Sequence, residues 1–187
     1  MDPSTTAPGR RTGLVVLVPA AEPTVGAWRG ELDPSAGYGM PAHITVLFPW
    51  FRLRDLGLQV LTELAALAGD LPAFDVTFDR VDRFPETLWL APTPVEPFVE
   101  LTEAVRRSWP EYPPFGGRFD VVVPHLTIGD GIDPDAHGQV VAQIEQLLPV
   151  QCRVDELTLM AQDRADRWAV HSAYPLLGEA APTVPAY

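Results

Sequence analysis

Two short stretches carry one pattern: Ala42-His43-Ile44-Thr45-Val46 and Pro124-His125-Leu126-Thr127-Ile128. They occupy matching places in a repeated order of elements. From 13 to 81 the chain reads strand (13–20), helix (22–32, weakened by Gly26), strand (42–48), helix (55–68) and strand (74–81). From 87 to 161 the same order returns: strand (87–91), helix (97–109), strand (119–128, bent at Pro124), helix (134–148) and strand (153–161). The helix at 55–68 shows Leu56, Val60, Leu64 and Leu67 on one face, with Asp55 as the expected N-cap and Gly69 as the stop. Phe74, Val76 and Phe78 alternate with Asp75, Thr77 and Asp79, which marks a strand buried on one side. A last strand at 167–175 pairs with 153–161 as a hairpin around 163–166. This repeat predicts an α+β fold. Two pseudo-symmetric lobes of mainly antiparallel sheet would carry helices on their outer faces and enclose a central cleft. One bilobal domain is expected over 13–177, with flexible tails at 1–12 and 178–187.

Composition removes several classes of function. The 187 residues are 47% hydrophobic and 20% charged, enough for one domain with a real core. A formal net charge of −12 argues against a grip on long nucleic acid, which needs a basic face. The chain contains no Lys, so a phosphate-loop lysine, a Schiff base and a lysyl-nucleotide intermediate are all excluded. Cys152 is the single cysteine, which rules out an internal disulfide and a cysteine-built zinc site. No stretch approaches the roughly 20 apolar residues of a membrane helix. Arg10-Arg11 ahead of Leu14-Val15-Val16-Leu17-Val18 is too short and too Val-rich for an export signal. The run is expected as a buried first strand, and the protein as a cytoplasmic monomer.

In a strand, side chains alternate, so His43 and Thr45 share one face while Ile44 and Val46 share the other. The same holds for His125 and Thr127 against Leu126 and Ile128. The aliphatic faces can pack under helices. The polar faces then enclose a cleft presenting two imidazoles and two hydroxyls. That set suits in-line attack on a phosphate ester. One His acts as general base and the other protonates the leaving oxygen, since an unperturbed imidazole titrates near pH 6.5. Thr45 and Thr127 donate to the phosphoryl oxygens as charge develops. Pseudo-symmetry leaves open which His is which.

These motifs and their surroundings resemble the two-histidine (2H) phosphoesterase superfamily, in its 2'-5' RNA ligase-like branch. Leu32-Asp33-Pro34 and Pro41 to Pro49 are similar to the first half-site. Tyr112-Pro113-Pro114-Phe115-Gly116-Gly117 leading into Val123-Pro124-His125-Leu126-Thr127 is similar to the second. Leu157-Thr158-Leu159 and Arg167-Trp168 are similar to the closing hairpin. The resemblance implies a cyclic phosphodiesterase: chemistry without metal or other cofactor on 2',3'-cyclic phosphates or 2'-5' phosphodiesters, with ligation as the reverse reaction. Some RNA-ligating members carry a basic residue shortly after the second motif, where this chain has Gly129-Asp130. A nucleotide or another small cyclic phosphate is therefore the expected substrate ahead of a short RNA end.

Other residues are candidates for substrate contact. Tyr112, Phe115 and Trp50 are aromatics near the motifs, together with Phe48, Phe51 and Phe119, and aromatic faces stack on bases. Arg118 and Arg52 can neutralise a terminal phosphate. Trp28, Trp89 and Trp168 read as core, His137 and His171 as structural or exposed, and Glu96, Glu100 and Glu103 as a solvated helix face. Two rival readings use the same cleft: a binding module that holds a nucleotide or phosphometabolite without turnover, and a metal-dependent hydrolase recruiting carboxylates such as Asp130.

Overall fold

The alternating apolar positions become one face of a single antiparallel sheet. The computed structural model describes residues 10–119 and 121–179; the rest of the expected tails, 1–9 and 180–187, lies outside the described residues. The strands are β1 (Thr12–Leu17), β2 (His43–Leu47), β3 (Phe74–Phe84), β4 (Thr87–Thr93), β5 (Leu126–Asp130), β6 (Val150–Val154), β7 (Glu156–Gln162) and β8 (Trp168–Pro175). Their order across the sheet is β6-β3-β4-β5-β2-β1-β7-β8. Every named pair is antiparallel.

Two lobes result, β3–β6 and β1–β2–β7–β8, and they meet at one residue pair, Ile44↔Leu126. A pseudo-twofold axis at that seam exchanges β2 with β5, β1 with β4, β7 with β3 and β8 with β6. The sequence repeats are therefore not the lobes. β3 belongs to the first repeat but pairs with β4 and β6 of the second.

Helices α1 and α4 obey the same symmetry, while α3 and α5 depart from it. Helix α1 (Glu22–Leu32) follows β1 and packs on β5; α4 (Glu96–Ser108) follows β4 and packs on β2. Helix α3 (Leu58–Asp70) lies on β8 and α5 (Gly138–Glu145) on β3, while α2 (Pro34–Gly37) is a single turn after α1. Beneath them Leu14, Val16, Ile44, Val46, Leu126 and Ile128 are all at most 1% exposed. Each such side chain contributes roughly 1.5–3 kcal/mol of burial. The opposite face of β1 holds a smaller apolar cluster of Val15, Met40 and Met160, with Leu17 and Trp168 packed against it.

Several boundaries differ from the sequence expectation for local reasons. Thr12 lies in β1 rather than a tail, because its hydroxyl donates to the Phe51 carbonyl at 2.5 Å. Asp55 closes a 3-10 turn, and α3 is instead preceded by Gly57 in extended conformation. Gly69 lies within α3 rather than beyond it. Residues 119 and 121–125 are not strand: Pro124 has no N–H to give a ladder, and β5 begins at Leu126. The helix expected at 134–148 splits into a 3-10 turn, Pro134–His137, and α5. The strand expected at 153–161 is two strands, β6 and β7, which pair with different partners. Among the described residues no helix is long and apolar enough to cross a membrane.

Candidate active site

The two motifs keep the alternation that the sequence demands. His43, Thr45, His125 and Thr127 are half-buried, whereas Ile44, Val46, Leu126 and Ile128 are buried against the helices. The register joins them. Ile44↔Leu126 is the one residue pair of the β2–β5 ladder, and an antiparallel ladder continued one step to either side of it would set His43 opposite Thr127 and Thr45 opposite His125, which stands just before β5. Directly opposed residues have Cβ atoms about 4.5–5.5 Å apart, and diagonal ones lie about 7–8 Å apart. On that continuation the two histidines would take the diagonal, a spacing with room for a tetrahedral group between them; His125 is near enough to His43 to act on its charge.

The local backbone sets the tautomers. His43 Nδ1 lies 2.8 Å from the Pro41 carbonyl oxygen, and His125 Nδ1 lies 2.7 Å from that of Val123. A carbonyl only accepts, so each Nδ1 carries hydrogen and donates it. Each neutral imidazole then offers its Nε2 lone pair. Burial pushes His43 down to about 4, against the opposing pull of the Pro41 carbonyl; Arg29 and His125 lower it further and Asp33 raises it. His125 is lowered by burial too, opposed by the Val123 carbonyl and the Asp130 carboxylate. The burying surface at His125 is aromatic: the ring stands 5.2 Å from Phe84 at 88° and 5.8 Å from Trp89 at 64°.

Sequence reasoning passed over Arg29. Its side chain is 2% exposed, and its guanidinium braces both half-sites. Nε donates to the Thr127 carbonyl at 3.1 Å and Nη1 to the Met40 carbonyl at 3.2 Å. Nη2 donates to Asp33 Oδ2 at 2.8 Å and lies 3.4 Å from Ser35 Oγ. Asp33 in turn accepts from the Ser35 amide and hydroxyl at 2.9 Å each. Glu22 Oε1, 4.0 Å from Arg29, accepts from the Ala42 amide at 2.6 Å. One cation thus ties α1, the approach to His43 and the strand carrying Thr127. The visible signal was an Arg four residues before an Asp on a helix; the partner on β5 was not visible.

The other expected contact residues disperse. Trp50 is 4% exposed and packs edge-on against Phe51 (5.0 Å) and Trp109 (5.1 Å), so it is a core residue and not at the cleft. Tyr112 rests on Phe51 at 4.5 Å and packs against the core. Phe115 stays near β2: its amide donates to the Phe48 carbonyl at 2.6 Å, and its ring lies 5.6 Å from Phe119. Arg52 forms an isolated antiparallel bridge with Arg11, while Arg118 is exposed. Trp89 is buried as expected, yet it lies beside His125 rather than among the helices. His171 is on β8, three strands from β2, and His137 lies at the start of α5 with Nδ1 on the Asp133 carbonyl. Asp130 accepts from Thr87 Oγ1 at 2.8 Å. Among the described residues no three His, Cys, Asp or Glu side chains are grouped to hold a metal ion. A cavity of about 470 Å³ lies between α4 and 113–124, where Glu103 and Arg106 pair; none of the four motif residues lines it.

Known proteins share this fold. A Bacillus cereus (strain G9842) protein named as a phosphoesterase is 28% identical over 155 residues, covering 79% of this chain and 86% of its own. E. coli LigT, solved in complex with 3'-AMP, superposes with a TM-score of 0.60 at 19% identity, over 90% of this chain and 99% of that one. The protein TT0787 of Thermus thermophilus gives 0.55 at 18% identity, over 91% and 100%. At these identities the two structures establish the common fold. The family described as the 2'-5' RNA ligase superfamily matches residues 17–166, both His-x-Thr segments included, and the chain belongs to it.

Proposed function

We propose that the protein is a metal-independent phosphoesterase opening a 2',3'-cyclic phosphate, or a 2'-5' phosphodiester, on a nucleotide or related small molecule. The observation that carries this reading is the Ile44↔Leu126 pairing, which brings the segment bearing His43 and Thr45 beside the one bearing His125 and Thr127. One imidazole, neutral at Nε2, takes a proton from water as the water oxygen attacks phosphorus. The other, protonated at Nε2, gives its proton to the departing ribose oxygen as the P–O bond breaks. Thr45 and Thr127 donate to the non-bridging oxygens. Water is consumed, a 2'-phosphate and a free 3'-hydroxyl form, and the pair ends with its protons exchanged. With a 5'-hydroxyl in place of water as the attacking group, the same proton transfers would open the cyclic phosphate to a 2'-5' phosphodiester and a free 3'-hydroxyl, which is the ligase direction. A net charge of −12 and the carboxylate of Asp130 near the second motif favour small substrates over RNA ends. LigT has been solved with 3'-AMP, ATP and NADP+, which supports a nucleotide-sized occupant here.

The test is a screen of 2',3'-cyclic nucleotides, 2'-5' dinucleotides and ADP-ribose cyclic phosphate in EDTA. His43→Ala and His125→Ala should each lower turnover by about 10²–10⁴ with the fold retained. A fully active His125→Ala protein refutes the assignment. So does activity that EDTA abolishes and zinc or manganese restores. Tight nucleotide binding without product would instead make the protein a binding module.

A further inference from the structure

The two ends of the cleft are chemically unlike, although pseudo-symmetry makes them equivalent positions. Three residues beyond Thr127 stands Asp130, and three residues beyond Thr45 stands Phe48. The Asp130 end is anionic. The Phe48 end is aromatic and cationic. The Phe48 ring meets Trp168 edge-on at 5.8 Å, and the Arg11 guanidinium carbon lies 5.7 Å from the Phe48 centroid. Val15, the register partner of Thr45, connects this end to the four motif residues along β1. Gly13 gives the ring its place: a Cβ there would come within 3.2 Å of Phe48 Cδ2 and 3.3 Å of the Leu47 carbonyl oxygen.

Arg11 is held in position. Its Nε donates at 2.8 Å to Oε1 of Gln162, which is 4% exposed. That leaves the terminal nitrogens of the guanidinium to other partners. Arg52 is directly opposite Arg11 in an antiparallel bridge. Like charges facing each other across strands are destabilising. Neither arginine has an ion-pair partner among the described residues, in a chain of net charge −12. An anion between the two guanidinium groups would remove that repulsion. Three strand residues from Thr45 to Phe48 span about 10 Å, a nucleoside's length.

We infer that the cleft extends from the His/Thr quartet to a second subsite at Phe48, Trp168, Arg11 and Arg52. It takes a nucleoside bearing a 5'-phosphate: the base lies against Phe48 and Trp168, and the 5'-phosphate bridges the two arginines. This deepens the phosphoesterase reading and rests on it for the position of the reacting phosphate.

The experiment is calorimetric binding of adenosine 2'-monophosphate, adenosine 5'-monophosphate and adenosine 2',5'-bisphosphate. It uses the wild-type chain, Arg11→Gln, Arg52→Gln and Thr127→Val, with melting curves to show that each variant is folded. The bisphosphate should bind the wild type about tenfold more tightly than the 2'-monophosphate, the usual scale of a charge-assisted phosphate contact. Arg11→Gln and Arg52→Gln should each remove most of that gain while leaving 2'-monophosphate binding within twofold. Thr127→Val should weaken both 2'-phosphates and spare the 5'-monophosphate. A 5'-phosphate that adds less than twofold in the wild type overturns the subsite, and so does a gain that survives both arginine variants. If the 5'-monophosphate binds through Arg11 while the 2'-monophosphate does not bind, the subsite stands and the quartet reading falls. Binding of none of the three overturns both.

Discussion

Replacing Arg29 by Met should be among the costliest single changes in this chain. The aliphatic stem would stay in place while the guanidinium is lost. Asp33, 5% exposed, would keep only Ser35 as its partner, and the Met40 and Thr127 carbonyls would each lose a donor. Removing one member of a buried ion pair strands the other, at about 3–5 kcal/mol. Urea unfolding of wild type and variant, followed by tryptophan fluorescence, reads that loss as a shifted midpoint at unchanged slope. Adding Asp33→Leu removes the stranded carboxylate. The double variant should therefore be less destabilised than the sum of the single ones, by about 1–3 kcal/mol. A loss below about 1 kcal/mol for Arg29→Met, or strict additivity, would refute the view of Arg29 as a brace.

Two further outcomes follow from the imidazoles. Both histidines are lowered by burial, His43 to about 4, so the singly protonated pair exists in the free enzyme only on the acid side of the ordinary value of 6.5. A profile of kcat/KM against pH should be bell-shaped with both apparent limbs below 6.5; a plateau reaching pH 8 would contradict it. The same burial affects stability. Between 6.5 and about 4 the unfolded chain binds a proton at His43 that the folded chain does not. The contribution is complete above 6.5 and is lost as pH falls towards 4, by about 2–3 kcal/mol. His43→Gln should flatten that part of the stability–pH curve, and an unchanged slope in the variant would count against it.

The burial pattern of the candidate site was legible because it depends on period-two alternation, a local property. His43-Ile44-Thr45-Val46 and Leu126-Thr127-Ile128 lie in strands as their pattern requires, with His125 just before β5, and α1 and α4 fall within a residue or so of their expected spans. What escaped was non-local. β3 turns directly into β4 at Phe84↔Thr87, but nothing near it in sequence reveals that its other edge pairs with β6. The bond from Arg29 to Thr127 joins residues 98 apart. Trp50 was placed at the cleft because it follows the first motif, but beyond Phe48-Pro49 the chain leaves the strand and alternation no longer governs the side chain. Its indole turns inward among Phe51 and Trp109.

The exchange of strands between repeats bears on how the protein is made. When β1, α1, β2, α3 and β3 have left the ribosome, half of the chain exists but neither lobe can close. β3 waits for β4 and β6, and the outer edge of β1 waits for β7, the seventh strand to be synthesised. Neither half of the gene encodes an autonomous folding unit, so a chain halted at its midpoint would present two open sheet edges to any neighbour able to add a strand.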